Sequence, residues 1–362
     1  MKKILTVIGA RPQFIKAAPV SKALREHGGF KEILVHTGQH YDANMSQVFF
    51  DELEITLPHH NLEVGSGGHG EQTGEMLKRL EPLLVSEKPD VVLIYGDTNS
   101  TLAGALAASK LHVPVAHVEA GLRSFNRNMP EELNRIVADH LSTLLFCPTK
   151  TAIANLKKEG LAKNVFKTGD VMYDVAIMFS EKAKRNSTIL SALRLKPGEF
   201  ILVTIHRPEN TDDKTRLTSI FTVLDALTND CAIVFPMHPR TKKMAESFGL
   251  AHLLSKVKVI EPTGFLDMIR LESNASLIIT DSGGVQKEAY FHRVPCVTLR
   301  DETEWVETVE AGWNRMPGEM TKGSILGTVR EMALPGAKRK TIREYGDGKA
   351  AEKIAGTIAK LT

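Results

Sequence analysis

The sequence predicts an α/β protein made of two similar domains, each with a doubly wound, parallel β-sheet. Apolar runs that suit buried strands alternate with amphipathic stretches that suit helices, which is the pattern of parallel sheets. This pattern begins again after Gly169-Asp170. A chain of 362 residues is also too long for one ordinary core and suits two domains of roughly 150–180 residues each.

In the first half of the chain, strands and helices follow one another closely. Val91–Tyr95 is the clearest strand, because it is wholly apolar and ends at Gly96. Pro12 suits the first turn of the first helix. The strands are predicted at 4–8, 32–36, 91–95, 113–118 and 144–147. The helices are predicted at 12–27, near 44–53, at 72–87 and 101–110, from 131, and near 149–159.

The second half repeats this order without a low-complexity linker. Strands are predicted at 200–204, 231–236, 257–260, 277–280 and 295–299, with a helix at 215–227. We therefore expect a first domain at 1–168, a second at 169–348, and a C-terminal helix within 349–362 that packs back on the first domain. A cleft between two such domains is the default place for a ligand.

Composition excludes several classes of protein. The net charge is +3 with acids and bases interspersed, which gives no support to nucleic-acid binding. The three cysteines are far apart and suit buried thiols in a reducing compartment. No stretch approaches the roughly 20 apolar residues of a membrane span, and Arg11-Pro12 interrupts the first apolar run. These features predict a cytoplasmic protein without membrane partners.

Acidic residues follow the predicted strands where open α/β sheets carry their chemistry. Asp97 follows strand 91–95, Glu119 follows strand 113–118, and Glu131 begins the next helix, which also contains Arg135. Carboxylates in a shared site can have their pKa values pushed apart, as an acid and a base require. The structural alternatives are a helix cap for Asp97 and a helix-dipole role for Glu131 or its neighbour Glu132.

Two strand-to-helix turns suit an anion such as a diphosphate. Arg11 and Lys16 lie in the first turn, where free helix N–H groups attract negative charge. The second turn places small residues at a helix start and an acid one turn later, suited to ribose hydroxyls; its residues are Ser282, Gly283, Gly284 and Glu288. The alternatives are solvated basic side chains in the first turn and plain capping in the second.

Two histidines complete the candidate site. His206 follows strand 200–204, and His238 lies in a similar but weaker context beside Arg240. A core position is the alternative for both. No spacing of His, Cys and acidic residues predicts a metal site, and there is no G-x-S-x-G nucleophile motif. The segment 65–70 matches G-x-G-x-x-G, but it follows no buried strand, so a dinucleotide site is not predicted.

At these residues the chain resembles the non-hydrolysing UDP-N-acetylglucosamine 2-epimerases. The similar segments run in order from about residue 4 to 358: they are 9–12, 96–98, 117–123, 130–135, 206–207, 280–284 and 345–348. The resemblance implies two Rossmann-like domains in the glycosyltransferase-B arrangement, facing a cleft, and a homodimer. It also implies that a UDP-sugar is the ligand. NAD is not needed because no hydride moves, and a metal is not needed because protein cations hold the diphosphate.

The resemblance further implies a mechanism. UDP is eliminated across C1–C2 to give a 2-acetamidoglucal, and it adds back with the proton on the other face of C2. The implied catalytic residues are Asp97, Glu119, Glu131 and His206. The implied substrate-binding residues are Arg11, Lys16, Arg135, His238, Arg240, Ser282, Gly283, Gly284 and Glu288. In this scheme a protonated His206 helps to stabilise the departing diphosphate.

Departures from the family pattern indicate a branch. Trp305 stands where the common pattern has Arg, and the 10–16 and 304–307 segments resemble the branch acting on UDP-2,3-diacetamido-2,3-dideoxy-glucuronate. That sugar is the expected substrate, for surface polysaccharide such as lipopolysaccharide O-antigen. Its extra carboxylate would need a cation: Arg240, Arg300 or Lys287. UDP-N-acetylglucosamine is the alternative.

Three further departures and two rival activities complete the expectations. Thr263 and Met268 replace a common Gln and aromatic pair. Tyr41-Asp42 after Gln39-His40, and Glu75, depart from the members that have a regulatory substrate site, so activation by a second substrate molecule is not expected. A UDP-dependent glycosyltransferase has the same architecture but requires an acceptor, and a hydrolysing epimerase would release free UDP.

Overall fold

The protein is described from a computed structural model that covers residues 1–39, 47–334 and 336–361. By internal contacts the chain divides into two compact units. The N-terminal unit contains Met1–Ile177 and Arg343–Thr362, and the central unit contains Met178–Ile342. The division falls inside one helix, Val171–Asn186, so this helix contributes residues to both units.

The N-terminal unit contains a seven-stranded parallel sheet in the order β3-β2-β1-β4-β5-β6-β7. Its strands β1 to β7 are Lys2–Ile8, Phe30–His36, His60–Asn61, Val91–Tyr95, Val115–Val118, Leu144–Cys147 and Val165–Lys167. Strands β4 and β5 are buried along their whole length and β1 is buried from Ile4 onwards, which agrees with helices on both faces and with their largely apolar sequences.

Helices α1 to α7 cover this sheet, and the C-terminal helix α16 packs against α1. Helices α1 to α7 are Arg11–His27, Gln47–Leu53, His69–Glu87, Asn99–Lys110, Pro130–Leu141, Lys150–Lys158 and Val171–Asn186. Helix α16 is Ala350–Ala359. The Lys2 Nζ donates to the Ile358 carbonyl at 3.2 Å, and the Asp174 carboxylate accepts from the first N–H groups of α16. The C-terminal helix therefore belongs to the N-terminal unit.

The central unit contains a six-stranded parallel sheet in the order β10-β9-β8-β11-β12-β13. Its strands β8 to β13 are Phe200–Thr204, Ala232–Pro236, Lys258–Ile260, Leu277–Thr280, Cys296–Thr298 and Asn314–Arg315. Its helices α8 to α15 are Ile189–Ala192, Pro208–Thr211, Lys214–Leu227, Pro239–Ser247, Phe265–Glu272, Gly283–Phe291, Val306–Glu310 and Lys322–Ala333, with a 3-10 helix at Ala251–Leu254. Two apolar clusters pack on opposite faces of the sheet.

The predicted fold class, two doubly wound parallel α/β sheets, is confirmed. The sequence did not reveal helix α7, which lies where only a join between the domains was expected. It also did not reveal short edge strands such as β3, β7 and β13, which bury too little apolar surface to show a pattern. The predicted helix near 44–53 is present as Gln47–Leu53, and its first predicted residues lie outside the described ranges. In the described part of the chain, no helix is long and apolar enough to cross a membrane.

In each sheet, the second and third strands lie on one side of the first strand, and the later strands extend to its other side. Several candidate residues lie at the strand ends where this change of direction occurs. In the N-terminal unit this point lies between β1 and β4, which end just before Gly9 and Gly96. In the central unit it lies between β8, which ends two residues before His206, and β11, which ends just before Asp281. Ligands of open α/β sheets bind at the carboxyl ends of strands at such points.

Candidate active site

Asp97 lies one residue beyond Gly96 at the end of β4, and a buried arginine holds its carboxylate. Arg135 on α5 donates to Asp97 Oδ2 from Nε at 3.0 Å and from Nη2 at 2.7 Å. The cap of the following helix α4 is Thr98, whose hydroxyl accepts from the Thr101 N–H. The Asp97 carboxylate therefore does not serve as the cap, and its side chain stays 30% exposed.

Glu119 adopts an unusual backbone conformation at the end of β5. Its φ is +73°, a left-handed value that costs energy for a residue with a Cβ and is common where a side chain must be aimed. The N–H groups of Glu119 and Ala120 both donate to the Phe146 carbonyl, at 3.1 and 3.0 Å, and hold this turn. The turn directs the Glu119 carboxylate to Lys16, with which it forms a salt bridge.

Gly96 lies next to both acidic residues, Asp97 in the sequence and Glu119 in space. A Cβ at Gly96 would lie 3.4 Å from Glu119 Oε2 and 3.4 Å from Lys16 Nζ, so this salt bridge lies directly beside the residue that precedes Asp97. Lys16 was predicted as an anion-binding residue, and the structure places its ammonium group on Glu119. Its positive charge is thus already engaged within the N-terminal unit.

The adjacent acids Glu131 and Glu132 have different surroundings. Glu132 is buried and accepts from the Ser124 and Phe125 N–H groups, at 2.9 and 3.0 Å, and from Arg135 Nη1 at 2.7 Å. It therefore fixes the loop before α5 and the arginine that holds Asp97. Glu131 is half-buried in the first turn of α5 and makes no hydrogen bond or ion pair within the described ranges.

A buried group of charged and polar side chains, His117, Arg123 and Asp139, lies next to the end of β4. His117 Nδ1 lies 2.8 Å from Asp139 Oδ1, and His117 Nε2 lies 2.8 Å from the Gly96 carbonyl. Each ring nitrogen of His117 therefore contacts an oxygen atom. Arg123 donates to Asp139 Oδ2 at 2.7 Å. Burial alone would raise the pKa of Asp139, but His117 and Arg123 outweigh it and the pKa is lowered.

Replacing Asp139 by Asn should therefore destabilise the fold. The substitution leaves His117 and Arg123 buried with less negative charge, and breaking a buried ion pair in this way costs about 3 kcal/mol. Because the folded-state pKa of Asp139 is lowered, this stabilisation is present above the unfolded pKa and lost as the pH falls through the folded value. Urea unfolding at pH 7 measures the loss, with the exposed Asp230→Asn as the control. An Asp139→Asn chain as stable as the control would contradict the stabilising role of this buried group.

In the central unit, Asp281 organises the end of β8. Its fully buried carboxylate accepts from the His206 N–H at 3.1 Å, the Arg207 N–H at 3.0 Å and Asn210 Nδ2 at 3.1 Å. His206 Nδ1 lies 3.3 Å from Asp281 Oδ1. The Asp281 carboxylate thus contacts both the backbone and the ring of His206 and fixes the position of this residue.

Two arginines flank the start of α13, where Ser282, Gly283 and Gly284 lie. The position of a Cβ on Gly283 would be 3.8 Å from Arg207 Nη2 and from Arg300 Nη1, and 2.8 Å from Glu304 Oε1. A larger residue than glycine would therefore meet this cluster. Free N–H groups at a helix start and two guanidinium groups form an anion-binding environment. Sequence reasoning did not select Arg207, although it directly follows His206, and considered Arg300 only for a uronate.

The surroundings of His206 decide its charge. Loss of water around the ring, together with the neighbouring Arg207 and His238, lowers the pKa of His206, and Asp281 only partly opposes this. The ring centroids of His206 and His238 are 5.9 Å apart. We therefore expect a mostly neutral His206 at pH 7 in the free protein. An arriving diphosphate would supply the charge that favours protonation.

The cations considered for a uronate carboxylate differ in accessibility. Lys287 is 1% exposed, with its Nζ 3.7 Å from the centroid of the Trp305 ring, so it does not offer its charge at the surface. Arg240 is exposed and forms a salt bridge with Asp212, and Arg300 donates to Glu304 at 3.0 Å. His238 caps α11 by accepting from the Arg240 N–H at 3.1 Å.

The remaining predicted residues have simpler positions. Arg11 is half-buried at the first residue of α1. Glu288 is half-buried one turn into α13. Glu75 is paired with Lys78 and Arg79 on the surface of α3, whereas His40, Tyr41 and Asp42 lie outside the described ranges. Among the described residues, no group of three His, Cys or acidic side chains is placed to hold a metal ion.

The sequence is similar to one family of known proteins over most of its length. The family model described as UDP-N-acetylglucosamine 2-epimerase matches residues 22–359. The chain belongs to the UDP-N-acetylglucosamine 2-epimerase family. The resemblance seen in the motifs is thereby confirmed, and the chain is an isomerase of this epimerase type.

Three relatives show the range of names within the family. A Methanococcus maripaludis "UDP-N-acetylglucosamine 2-epimerase homolog" is 53% identical, over 99% of this chain and 100% of its own length. The Pseudomonas aeruginosa "UDP-2,3-diacetamido-2,3-dideoxy-D-glucuronate 2-epimerase" is 52% identical, also over 99% and 100%. The solved structure of Methanocaldococcus jannaschii UDP-GlcNAc 2-epimerase with UDP-GlcNAc and UDP has a TM-score of 0.91 at 45% identity, covering 99% of each chain.

Proposed function

We propose that this epimerase inverts C2 of UDP-2,3-diacetamido-2,3-dideoxy-glucuronate without hydrolysis, giving the manno isomer. UDP leaves C1 as the C2 proton is removed, a 2-acetamidoglucal forms, and UDP adds back as a proton arrives on the other face. The observation that carries this proposal is the pair of acids, Asp97 and Glu119, at neighbouring strand ends, each held by a cation of its own unit.

In this proposal, acidic residues of the N-terminal unit remove the C2 proton of the sugar and return it. The C2 proton of the sugar is only weakly acidic, so elimination with a good leaving group is easier than forming a free carbanion. Asp97, Glu119 and Glu131 are the groups that take and return the proton and support positive charge at C1. Arg135 and Lys16 fix the first two of these acids, and Glu131 is left with no protein partner among the described residues.

The central unit would hold UDP and stabilise the departing diphosphate. Charge develops on the diphosphate as the C1–O bond breaks, and fixed donors aimed at it lower the barrier. The helix start at Gly283, with Arg207 and Arg300 beside it and His206 at the end of β8, supplies such donors. Ser282, Gly284 and Glu288 extend the same site towards the ribose.

One relative supports the diacetamido uronate as the substrate, and another supports a second candidate. The 52% identity to the Pseudomonas aeruginosa enzyme spans almost the whole chain. The 304–307 segment, with Trp305 in place of the common Arg, resembles the pattern of that branch. UDP-N-acetylglucosamine remains the second candidate, because a Methanocaldococcus jannaschii relative with that name is 46% identical. We place the reaction in the cytoplasm, in the synthesis of surface polysaccharide, and expect a homodimer.

The test is to incubate the purified protein with each UDP-sugar separately and to follow the sugar and free UDP by proton NMR. We expect conversion of the diacetamido uronate to its manno isomer with no accumulating UDP, and a kcat/KM at least about tenfold above that for UDP-N-acetylglucosamine. Equal or faster turnover of UDP-N-acetylglucosamine would transfer the assignment to the second candidate. Accumulating UDP would indicate hydrolysis, and no reaction without an acceptor would favour a transferase.

Binding of the UDP-sugar should be linked to proton uptake. Because the pKa of His206 is lowered in the free protein, the diphosphate raises this pKa on binding. Affinity should then fall with rising pH between the pKa in the free protein and the pKa in the complex, and level off above the latter. The limiting slope is about tenfold per pH unit for one proton. Calorimetry in two buffers of different ionisation enthalpy measures the uptake. His206→Gln should abolish it; an unchanged uptake in this variant would assign the proton elsewhere, for example to His238.

A further inference from the structure

Glu272 and Glu288 form a pair of carboxyl groups inside the central unit, and the reaction proposed above makes no use of Glu272. Glu272 is the last residue of α12, its side chain is 2% exposed, and its carboxyl group hydrogen-bonds that of Glu288 on α13. Two carboxylates in direct contact repel each other, so one of them must carry a proton. The pair therefore has one acid member and one charged member.

Burial decides which member is the acid. Glu272 is buried and Glu288 is half-buried, and burial together with the charge of Glu288 raises the pKa of Glu272 well above its usual range. In the described chain, the basic group paired with Glu272 is His292, whose Nε2 lies 3.9 Å from Glu272 Oε2. Burial lowers the pKa of His292 to about 4, so this ring is neutral at pH 7 and does not stabilise a carboxylate.

The charged member faces the proposed nucleotide site. Both carboxylate oxygens of Glu288 lie 4.0 Å from the position of a Cβ on Gly284, in the first turn of α13. A nucleotide whose diphosphate binds at this helix start carries its ribose next to the same turn. A carboxylate can accept hydrogen bonds from two neighbouring hydroxyl groups at once, provided that its orientation is fixed.

We propose that Glu272 is a positioning residue that donates its O–H to Glu288 and fixes that carboxylate as the acceptor for the ribose hydroxyls of the UDP-sugar. This inference rests on the proposed UDP site and adds a residue to it. It differs from a purely structural role for Glu272 because it couples a buried group to recognition of one part of the nucleotide. The coupling is visible in discrimination between ribose and deoxyribose.

The experiment compares the affinities for UDP and 2′-deoxy-UDP by calorimetry in three proteins. The unsubstituted protein should prefer UDP by about tenfold, the loss expected when a hydrogen bond to a charged group is removed. Glu272→Gln keeps the shape and an N–H donor and should retain this preference. Glu272→Met keeps the volume without a donor, and its preference should fall towards unity through weaker binding of UDP alone. Glu272→Met should fold, because an apolar residue replaces a buried polar one.

The outcomes distinguish a failure of the proposed function from a failure of the role proposed for Glu272. An unsubstituted protein that binds neither nucleotide overturns the proposed function and this inference with it. One that binds both nucleotides equally keeps the UDP site but overturns the reading of ribose by Glu288. A Glu272→Met protein with the full preference overturns the role of Glu272, as does a Glu272→Gln protein that loses it. In a Glu288→Gln background, Glu272→Met should have no further effect on the preference.

Discussion

Asp97→Asn should lower kcat by a factor of about 1,000 while leaving the affinity for UDP close to that of the unsubstituted protein. The amide cannot take the C2 proton, yet it has the shape of the carboxylate and one oxygen that can still accept from Arg135. Arg135 also keeps its 2.7 Å contact with the buried Glu132, so the loop before α5 should stay in place. The residues proposed to hold UDP lie in the central unit and are unchanged.

Steady-state kinetics and calorimetry on the same preparations measure the two quantities. Asp230→Asn, an exposed substitution of the same type, is the matched control and should behave like the unsubstituted protein. A kcat within tenfold of the control would show that Asp97 is not part of the proton transfer. An equal loss of kcat and UDP affinity would instead indicate that the substitution disturbs the fold.

Asp281→Asn should weaken UDP binding and destabilise the central unit by about 2–4 kcal/mol. The carboxylate accepts from two backbone N–H groups and from Asn210, and an amide nitrogen in place of one oxygen would face these donors. His206 and Arg207 then lose the contact that sets their position. We expect a lower melting temperature and at least a tenfold weaker affinity for UDP.

Asp301→Asn is the control for this substitution, because Asp301 is 60% exposed and holds one ion pair with Arg216. Thermal unfolding and calorimetry at a temperature where both variants are folded separate stability from binding. UDP affinity equal to that of the control would contradict the role of Asp281 in ordering the diphosphate site. A lower stability with unchanged affinity would restrict Asp281 to the fold.

Much of the fold could be predicted because buried parallel strands have plain signatures. Val91–Tyr95 and Leu277–Thr280 are buried throughout and consist mainly of apolar residues, and both were predicted with their observed bounds. The two-residue edge strand β3 could not be predicted, because two half-exposed polar residues form no pattern. Local sequence also could not distinguish Glu131 from Glu132, because their different surroundings depend on where the 124–125 loop folds.

The candidate site was predicted less completely, since contacts across the chain decide the state of its groups. Lys16 suits a phosphate from its place in the sequence, but Glu119, far along the chain, engages its charge. Lys287 suits a uronate from its charge, but packing under Trp305 buries it. Glu272 carried no signal, because a glutamate at the end of an amphipathic helix is ordinarily solvated, and only the three-dimensional packing reveals its partner.

The central claim is that the bond between C1 and the diphosphate breaks and reforms in every inversion. Positional isotope exchange tests it most directly, with oxygen-18 placed in the oxygen that bridges C1 and the β-phosphorus of the UDP-sugar. We predict that the label moves into the non-bridging positions of the β-phosphate, as seen by phosphorus NMR, while the C2 proton exchanges with solvent. Exchange at C2 with the label still in the bridge would contradict elimination and would require direct proton removal from an intact UDP-sugar.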